Sequence, residues 1–317
     1  MSFQIIGTGR AHPELVLTNE MVSKLVDTDD EWITSRTGIK TRYISTDETM
    51  EELSVKAADN ALKKAGISGS EIDLIICSTM QGDYMSPSLS CLIQKDIGAH
   101  CPAFDVNAAC SGFLYALDIT DAYISSGKAN TVLIVAAEQM SRHIDWTDRA
   151  TCVLFGDGAG AVVVRKGDGL KSIKITARGD NKLLVIGSVF CHSPFARQPQ
   201  IDPNFHMVGG EVFKFAVASI LKDVKEVMKA AGVSAKDIKM MVPHQANLRV
   251  FQAAKEKLGF TEEQVACGID HYGNTSSASI PLLLDELIED GKLTAGDTIV
   301  LTAFGGGLTT GACVIKL

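Results

Sequence analysis

The sequence contains an internal duplication, and this feature restricts the fold more than any other. Residues 65–76 (AGISGSEIDLII) resemble residues 231–242 (AGVSAKDIKMMV). Residues 126–136 (SGKANTVLIVA) resemble residues 290–301 (DGKLTAGDTIVL), at nearly the same spacing of about 165 positions. Matches that keep one order and one spacing predict two structurally related halves.

The duplication also locates an insertion. Asp105 and Asp270 keep the spacing of about 165, but a final pair of segments, 155–164 (FGDGAGAVVV) and 304–315 (FGGGLTTGACVI), lies only about 150 positions apart. The first half therefore carries about 15 extra residues, which we place at roughly 138–154. Insertions into a repeated core usually serve a site or an interface.

Four apolar runs of strand length alternate with helical patterns: residues 73–78, 131–137, 238–242 and 298–303. Such runs are typical of strands covered on both faces, and their alternation with helices indicates parallel βαβ units. We therefore predict an α/β fold in which two duplicated halves pack as a five-layer αβαβα arrangement. The halves are residues 1–165 and 207–317, and residues 166–206 are predicted to be a connection with surface loops.

Composition excludes several classes of protein. The 317 residues carry a formal charge of −8, so the chain lacks the basic surplus that nucleic-acid binding requires. We expect no signal peptide and no membrane span, because no apolar run approaches the roughly 18 residues that cross a bilayer. The eight cysteines are scattered without a C-x-x-C pair. This pattern argues against a metal site or a disulfide framework and predicts a cytoplasmic protein.

Cys110 is a candidate nucleophile because it lies between the end of a predicted strand and an amphipathic helix (AACSGF, 108–113). The positive end of a helix favours a thiolate, so we expect the pKa of this thiol to be lowered. A buried structural cysteine is the alternative, since cysteine is among the most buried residue types.

Two further turns carry polar groups after apolar strands. His244 lies in VPHQANLR (242–249), and Asn274 lies in GNTS (273–276), at the turn that the duplication pairs with that of Cys110. Ligands in α/β folds gather at the carboxyl ends of strands, so these groups are predicted to share a cleft. A buried histidine and a hydroxyl-capped turn are the structural alternatives. The glycines of FGGGL (304–308) leave bare N–H groups that can bind an oxyanion, whereas no nucleotide-binding glycine motif is present.

These motifs together resemble the β-ketoacyl-acyl-carrier-protein synthase III family. The segment DTDDEWITSRTGI (27–39) near the N-terminus supports the resemblance, which extends from about residue 4 to the C-terminus. The family has the thiolase fold, is usually a homodimer and starts type II fatty-acid synthesis. The resemblance implies an acyltransferase that condenses an acyl-CoA primer with malonyl-acyl-carrier protein, with no metal or redox cofactor.

The resemblance implies roles for particular residues of this chain. Cys110, His244 and Asn274 would form the catalytic triad, and the N–H groups of Cys110 and Gly306 would form the oxyanion hole. The residues expected to contact CoA or its pantetheine arm are Trp32, Arg36, Thr37, Arg149, Met207, Gly209, Phe213, Ala246 and Asn247. The residues expected to dock the acidic carrier protein are Lys214, Gln245, Arg249, Lys255 and Lys257.

The acyl pocket is where this sequence departs from the family pattern. Phe304 is expected to line it, and Ser86 stands where the family often has a bulky residue that reaches the pocket across the dimer interface. A small side chain there predicts a roomier pocket and a primer other than acetyl-CoA. The alternatives are therefore a related condensing enzyme of secondary or long-chain acyl metabolism and a non-catalytic acyl-carrier or CoA-binding protein, which the complete triad disfavours.

Overall fold

We describe the protein from a computed structural model, which covers residues 2–188, 195, 197 and 201–317. The strands are β1 (Ser2–Ala11), β2 (Leu15–Thr18), β3 (Thr41–Ile44), β4 (Leu74–Ser78), β5 (Ala103–Val106), β6 (Thr131–Gln139), β7 (Asp157–Gly167), β8 (Leu170–Ala177), β9 (Leu184–Ile186), β10 (Phe205–Met207), β11 (Met240–Pro243), β12 (Thr298–Gly305) and β13 (Thr309–Lys316). The helices are α1 (Asn19–Val22), α2 (Asp30–Thr37), α3 (Met50–Ala65), α4 (Leu89–Asp96), α5 (Gly112–Ser125), α6 (Gly209–Ala231), α7 (Leu248–Leu258), α8 (Ile269–Tyr272) and α9 (Ser279–Glu289). Cys191, one of the eight cysteines, lies outside the described residues.

The two halves build two sheets with the same strand order. The first sheet has the order β1-β7-β6-β4-β5, and the second has the order β8-β13-β12-β11. In the first sheet β4 pairs in parallel with both β5 and β6, and in the second β11 pairs in parallel with β12. The other pairings in both sheets are antiparallel. The predicted α/β duplication is therefore confirmed at the level of topology.

The second sheet differs from the expected one at both of its edges. Our prediction that residues 166–206 form a connection is wrong for Leu170–Ala177, because this strand pairs with β13 as the counterpart of β1. Its side chains are half-buried or exposed, so its sequence has the composition of a surface segment. At the other edge, Val265 forms only one parallel bridge with Met241, where the first half has β5.

Three apolar clusters confirm the five layers. The central cluster joins both sheets through α5 and α9, as in the contacts among Ile76, Leu117, Leu284 and Leu301. Alternate residues of the first sheet pack against α3 on its outer face, and those of the second sheet pack against α6 and α7.

The matching sequences fold alike because they share the same helix-ending and turn-forming residues. Gly66 and Gly232 end α3 and α6 in the left-handed conformation, each with a φ of 69°. Ser68 and Ser234 then begin equivalent capping boxes before β4 and β11. The match of Asp105 with Asp270 is wrong, since the first lies in β5 and the second in α8.

A cap covers the carboxyl ends of the central strands. It consists of the antiparallel pair β2–β3, α1, α2, residues 140–156 and the antiparallel pair β9–β10, which share one apolar cluster. The fully buried Arg42 holds the cap together: its guanidinium donates to Leu17 O, to Asn19 Oδ1 at 2.8 Å and to Val153 O at 2.5 Å. The cap therefore places α2 and the predicted insertion beside each other.

Candidate active site

A cavity of about 810 Å³ lies where the central strands end under the cap. Its wall includes residues that directly follow β4, β5, β11 and β12, namely Met80, Cys110, His244 and the glycines 305–307. Asn274 also lines it. The three turns that the sequence singled out therefore converge on one space. The turns of Cys110 and His244 follow parallel strands as expected, whereas the turn of Asn274 follows α8.

The turn that carries Cys110 is strained and tightly packed. Ala109 has a φ of 49°, a left-handed conformation that costs a non-glycine residue about 1 kcal/mol or more. A single 3₁₀ turn (Ala109–Ser111) then leads into α5 at Gly112. A Cβ atom at Gly112 would lie 2.0 Å from Ser78 Oγ, so only glycine allows the helix to start this close to β4.

The charge state of Cys110 differs from the sequence expectation. Burial raises the pKa of its thiol to about 12, against a hydrogen bond from Ser276 Oγ at 3.4 Å that lowers it. Burial removes the hydration that a thiolate needs, and this effect outweighs the stabilisation from the helix end. The prediction of a lowered pKa is therefore wrong, and a reaction at this sulfur requires a proton acceptor.

His244 is a neutral imidazole at the end of β11. It is 3% exposed, its backbone N–H donates to Thr302 O at 2.8 Å, and its ring packs edge-on against Phe304 at 5.6 Å between centroids. Burial lowers its pKa to about 3. Its Nδ1 is buried and has no hydrogen-bond partner among the residues that the structure describes. The ring is therefore able to act in the cavity as a hydrogen-bond donor or acceptor without charge.

The side chain of Asn274 is oriented by its own turn. Its backbone N–H donates to Leu154 O at 2.9 Å, and its Oδ1 accepts the N–H of Ser276 at 2.9 Å. The engaged oxygen identifies the amide NH₂ as the group left to donate toward the cavity.

Sequence reasoning missed Glu138, Ser276 and Ser277. Glu138 is the penultimate residue of β6 and is 2% exposed; its Oε1 accepts from Ser277 Oγ at 2.8 Å and from Ser276 Oγ at 3.3 Å. Its Oε2 accepts the N–H of Met80 at 3.3 Å, and burial raises its pKa to about 7. The available signal was a single glutamate after the fully buried run TVLIVAA.

The glycine-rich loop lies directly against the Cys110 turn. A Cβ atom at Gly305 would be 2.7 Å from Cys110 N, so the two backbones approach each other as closely as glycine permits. Thr309 Oγ1 is within hydrogen-bond distance of Ala108 O at 3.0 Å and Gly306 O at 3.1 Å, which links both turns. The backbones of Cys110 and Gly306 are thus neighbours at the cavity wall.

The predicted CoA residues lie at the mouth of the cavity. Trp32 is contacted by two guanidinium groups, those of Arg36 at 4.6 Å and Arg149 at 4.9 Å from its ring centroid. Arg149 comes from the inserted segment and also donates to Asp27 O at 2.9 Å. The remaining predicted residues that line the cavity are Thr37, Met207, Gly209, Phe213, Ala246 and Asn247.

One of the five predicted docking residues, Gln245, is wrong, and a second, Lys255, is only partly exposed. Gln245 is 1% exposed, and its amide is used internally by Pro243 O at 2.7 Å and by the N–H of Gly268 at 3.0 Å. The side chain of Lys255 is 16% exposed and forms an ion pair with Glu262. Gln245 directly follows a buried strand, which is why its polar character misled the prediction.

The other predicted positions are exposed. Lys257 and Arg249 lie on the surface of α7, and Lys214 lies on α6 beside Glu211 at 2.9 Å. Ser86 is also exposed and lies outside the cavity of its own chain, so its predicted contact across a dimer interface stays a prediction. Phe304 lines the cavity.

Two searches of the described residues gave no candidates. No cluster of three or more metal-ligating side chains occurs in residues 2–188 and 201–317. Within the same part of the chain, no helix is long and apolar enough to cross a bilayer.

Comparisons with known proteins agree with this geometry. Residues 104–188 match the family model for 3-oxoacyl-[acyl-carrier-protein] synthase III, and residues 228–317 match the model for its C-terminal part. The β-ketoacyl-[acyl-carrier-protein] synthase III of Xanthomonas campestris is 46% identical over 99% of this chain and 98% of its own. The crystal structure of the Aquifex aeolicus 3-oxoacyl-[acyl-carrier-protein] synthase III has a TM-score of 0.92 and 46% identity, covering 99% of this chain and 100% of its own. The priming β-ketosynthase of the R1128 polyketide pathway has a TM-score of 0.94 and 36% identity, over 100% of this chain and 96% of its own.

Proposed function

The chain belongs to the β-ketoacyl-acyl-carrier-protein synthase III family, and we propose that Cys110, His244 and Asn274 carry out its reaction. It is a condensing acyltransferase that joins an acyl-CoA primer to malonyl-acyl-carrier protein, which starts fatty-acid synthesis. The observation that carries the residue assignment is the convergence of these three side chains on one cavity.

In the first half-reaction, the sulfur of Cys110 attacks the thioester carbonyl of the acyl-CoA and CoA leaves. The N–H groups of Cys110 and Gly306 stabilise the oxyanion of the tetrahedral intermediate. The close approach of Gly305 to Cys110 N supports this role, because it brings the glycine loop against the nucleophile turn.

In the second half-reaction, malonyl-acyl-carrier protein replaces CoA and loses CO₂. Neutral His244 and the NH₂ group of Asn274 donate hydrogen bonds to the thioester carbonyl and stabilise the enolate-like carbanion. This carbanion attacks the acyl-cysteine to give a 3-oxoacyl thioester on the carrier. The lowered pKa of His244 supports the assignment, since a neutral donor needs no counter-ion in a buried site. These steps require no metal or redox cofactor.

The mouth of the cavity is proposed to bind CoA. The two guanidinium groups at Trp32 are suited to pair with phosphates, and the indole is suited to stack on adenine. Because both arginines contact this ring, we infer that the adenine displaces one of them when CoA binds.

The carrier protein is acidic, and we propose that it docks on the exposed Lys214, Arg249 and Lys257.

We further propose a homodimer that forms along the edge of the first sheet. β5 is an edge strand with every residue half-buried, and the nearby loop exposes Tyr84 (56%) and Met85 (89%). An unpaired edge beside exposed apolar side chains is typical of a surface that is covered in the assembly. A cytoplasmic location stays a prediction from the sequence.

A related role in secondary metabolism is the second candidate, because the priming β-ketosynthase of a polyketide pathway shares the whole fold at 36% identity. A primer scan separates the two. The purified protein is mixed with acetyl-, isobutyryl- or longer acyl-CoAs and malonyl-carrier protein, and the products are identified by mass spectrometry. Condensation with acetyl- or isobutyryl-CoA supports the fatty-acid role, and exclusive use of the longer acyl-CoAs supports the second candidate. The matched control is Cys110→Ser, which must neither become acylated nor condense; no condensation with any primer would contradict the assignment.

A further inference from the structure

A buried carboxylate lies two hydrogen bonds from the sulfur of Cys110. Ser276 Oγ is 3.4 Å from Cys110 Sγ and 3.3 Å from Glu138 Oε1. A hydroxyl has one proton to donate and two lone pairs that accept, so Ser276 can donate to one of these neighbours while it accepts from the other. The three groups therefore form a continuous path for a proton.

The backbone holds Ser276 in this bridging position. Its φ of 51° is left-handed, and its N–H is bound to Asn274 Oδ1 at 2.9 Å. Ser277 lies beside it and also donates to Glu138 Oε1, at 2.8 Å, but its second contact is Ser78 O at 3.3 Å rather than the sulfur. Of these two hydroxyls, Ser276 is the one that joins the carboxylate to Cys110.

The surroundings of Glu138 favour uptake of a proton. Among the described residues, the titratable groups nearest this end of β6 include Cys77 on β4, Asp157 on β7 and Cys110 across Ser276, with Asp105 beyond Cys77, and these thiols and carboxyls provide no positive charge. α3 and α5 turn apolar side chains toward the strand, and His244 across the cavity is neutral. A carboxylate buried without a cation is more stable when protonated, and burial accordingly raises the pKa of Glu138 to about 7.

We propose that Ser276 and Glu138 form a proton relay that deprotonates Cys110 during acyl transfer. The proposal rests on the function proposed above. As the bond between Sγ and the carbonyl carbon forms, the S–H proton passes to Ser276 Oγ, and the hydroxyl proton of Ser276 passes to Glu138 Oε1. The bond between the carbonyl carbon and the CoA sulfur then breaks, and the CoA thiolate takes a proton from solvent.

The same path works in reverse in the second half-reaction. When the carbanion attacks the acyl-cysteine, the bond between the acyl carbon and Sγ breaks and leaves a thiolate. Glu138 returns its proton through Ser276 to this sulfur. Ser276 is thus the catalytic residue that touches the reacting atom, and Glu138 is a positioning residue that acts through it.

The test is the pH dependence of Cys110 alkylation by iodoacetamide, followed from pH 5.5 to pH 10 by peptide mass spectrometry. With the relay, the wild-type rate rises with ionisation of Glu138 and reaches a plateau above a pH of about 7. Glu138→Gln and Ser276→Ala lose the plateau, and their rates at pH 7.5 fall by roughly tenfold or more. Glu138→Asp retains a plateau of reduced height. The exposed thiol of Cys267 is the internal reference, because its rate must not change in a folded variant.

A purely electrostatic role predicts the opposite sign. The negative charge of Glu138 raises the pKa of Cys110, so its removal in Glu138→Gln would then increase the thiolate fraction and accelerate alkylation. The matched control is Ser277→Ala, which keeps the path to the sulfur but removes a bond that lowers the pKa of Glu138. Its plateau should therefore remain and begin at a higher pH.

Alkylation of Glu138→Gln at or above the wild-type rate at pH 7.5, or a plateau in Ser276→Ala, would overturn the relay. If these variants do not fold, the wild-type protein in D₂O provides the decisive measurement, since a relay that transfers protons slows the plateau rate in D₂O and a preformed thiolate does not. The readout does not depend on condensation. A protein that shows the plateau but does not condense contradicts only the proposed function, and one that condenses without the plateau contradicts only the relay.

Discussion

The contact between the glycine loop and the nucleophile turn gives the sharpest prediction, the effect of Gly305→Ala. Gly305 has a φ of −165° and a ψ of −172°, an extended conformation that alanine adopts without strain. The added Cβ, however, would lie 2.7 Å from Cys110 N and 3.2 Å from Cys110 Cβ. Ordinary contacts begin at about 3.4 Å, so the loop and the turn must separate by roughly 0.7 Å. Misplacement by about 1 Å costs about 10²-fold in rate, so we expect acylation of Cys110 to slow by up to about 10²-fold.

The rate is measured by intact-protein mass spectrometry after rapid mixing with the acyl-CoA that the primer scan identifies. Overpacking should also lower the free energy of unfolding by about 1–3 kcal/mol, measured by urea denaturation. Gly306→Ala is the matched control, because its Cβ meets nothing closer than 3.5 Å and its N–H is retained. Acylation of Gly305→Ala within threefold of wild type, or an equal loss in Gly306→Ala, would refute the steric argument.

Three further variants test other parts of the structure. Lys257→Glu should lower kcat/KM for malonyl-carrier protein while leaving acylation by acyl-CoA unchanged. Lys255→Glu should have a smaller effect on the same constant, because Lys255 is already paired with Glu262. Equal kcat/KM values for the carrier in both variants would contradict this prediction. Burial opposes protonation of His271, but hydrogen bonds to Asp270 and Glu286 raise its pKa to about 9. This ion-pair stabilisation is complete below the unfolded pKa of about 6.5 and is lost as the pH rises through 9. The difference in free energy of unfolding between wild type and His271→Gln, measured by urea denaturation, should therefore fall between pH 6 and pH 9.5. A difference that stays constant over this range would exclude the ion-pair stabilisation. Gly210→Ala adds a methyl group in open space within α6 and should raise the free energy of unfolding by about 0.5–1 kcal/mol without changing acylation; a decrease would contradict the open environment.

The duplication made most of the fold predictable, because apolar strand runs and glycine-ended helices carry their signal locally. The strand Leu170–Ala177 was not predicted, because an edge strand is covered on fewer sides and tolerates lysine and serine. The loss of the counterpart of β5 also leaves no local signal, because one bridge at Val265 requires no strand-like composition.

The site was predictable to the extent that chemistry follows residue type and position. Cys110 and His244 follow strands and line the cavity as predicted, and Asn274 lines it although its turn follows α8. Gln245 satisfied the same criterion and is nevertheless internal, since burial depends on the tertiary path of the chain. Glu138 is the reverse case: its position predicts an ordinary strand end, and only packing reveals a carboxylate without a cation.

The non-glycine residues with positive φ show that the two halves use the same turn for different purposes in the site. Among the residues that the structure describes, the non-glycine residues with positive φ are Ala109, Ser276 and Leu308, and each belongs to a turn at the cavity. Ala109 and Ser276 occupy equivalent positions in the two halves, each opening the 3₁₀ turn that leads into α5 or α9. Because the strained conformation recurs at equivalent positions, it belongs to the repeated unit and was present before the two halves diverged. The first half uses this turn to place the sulfur of Cys110, and the second half uses it to point a hydroxyl at that sulfur. One local geometry, present twice and facing itself across the pseudo-symmetric core, therefore supplies both the nucleophile and the first member of its proposed proton path.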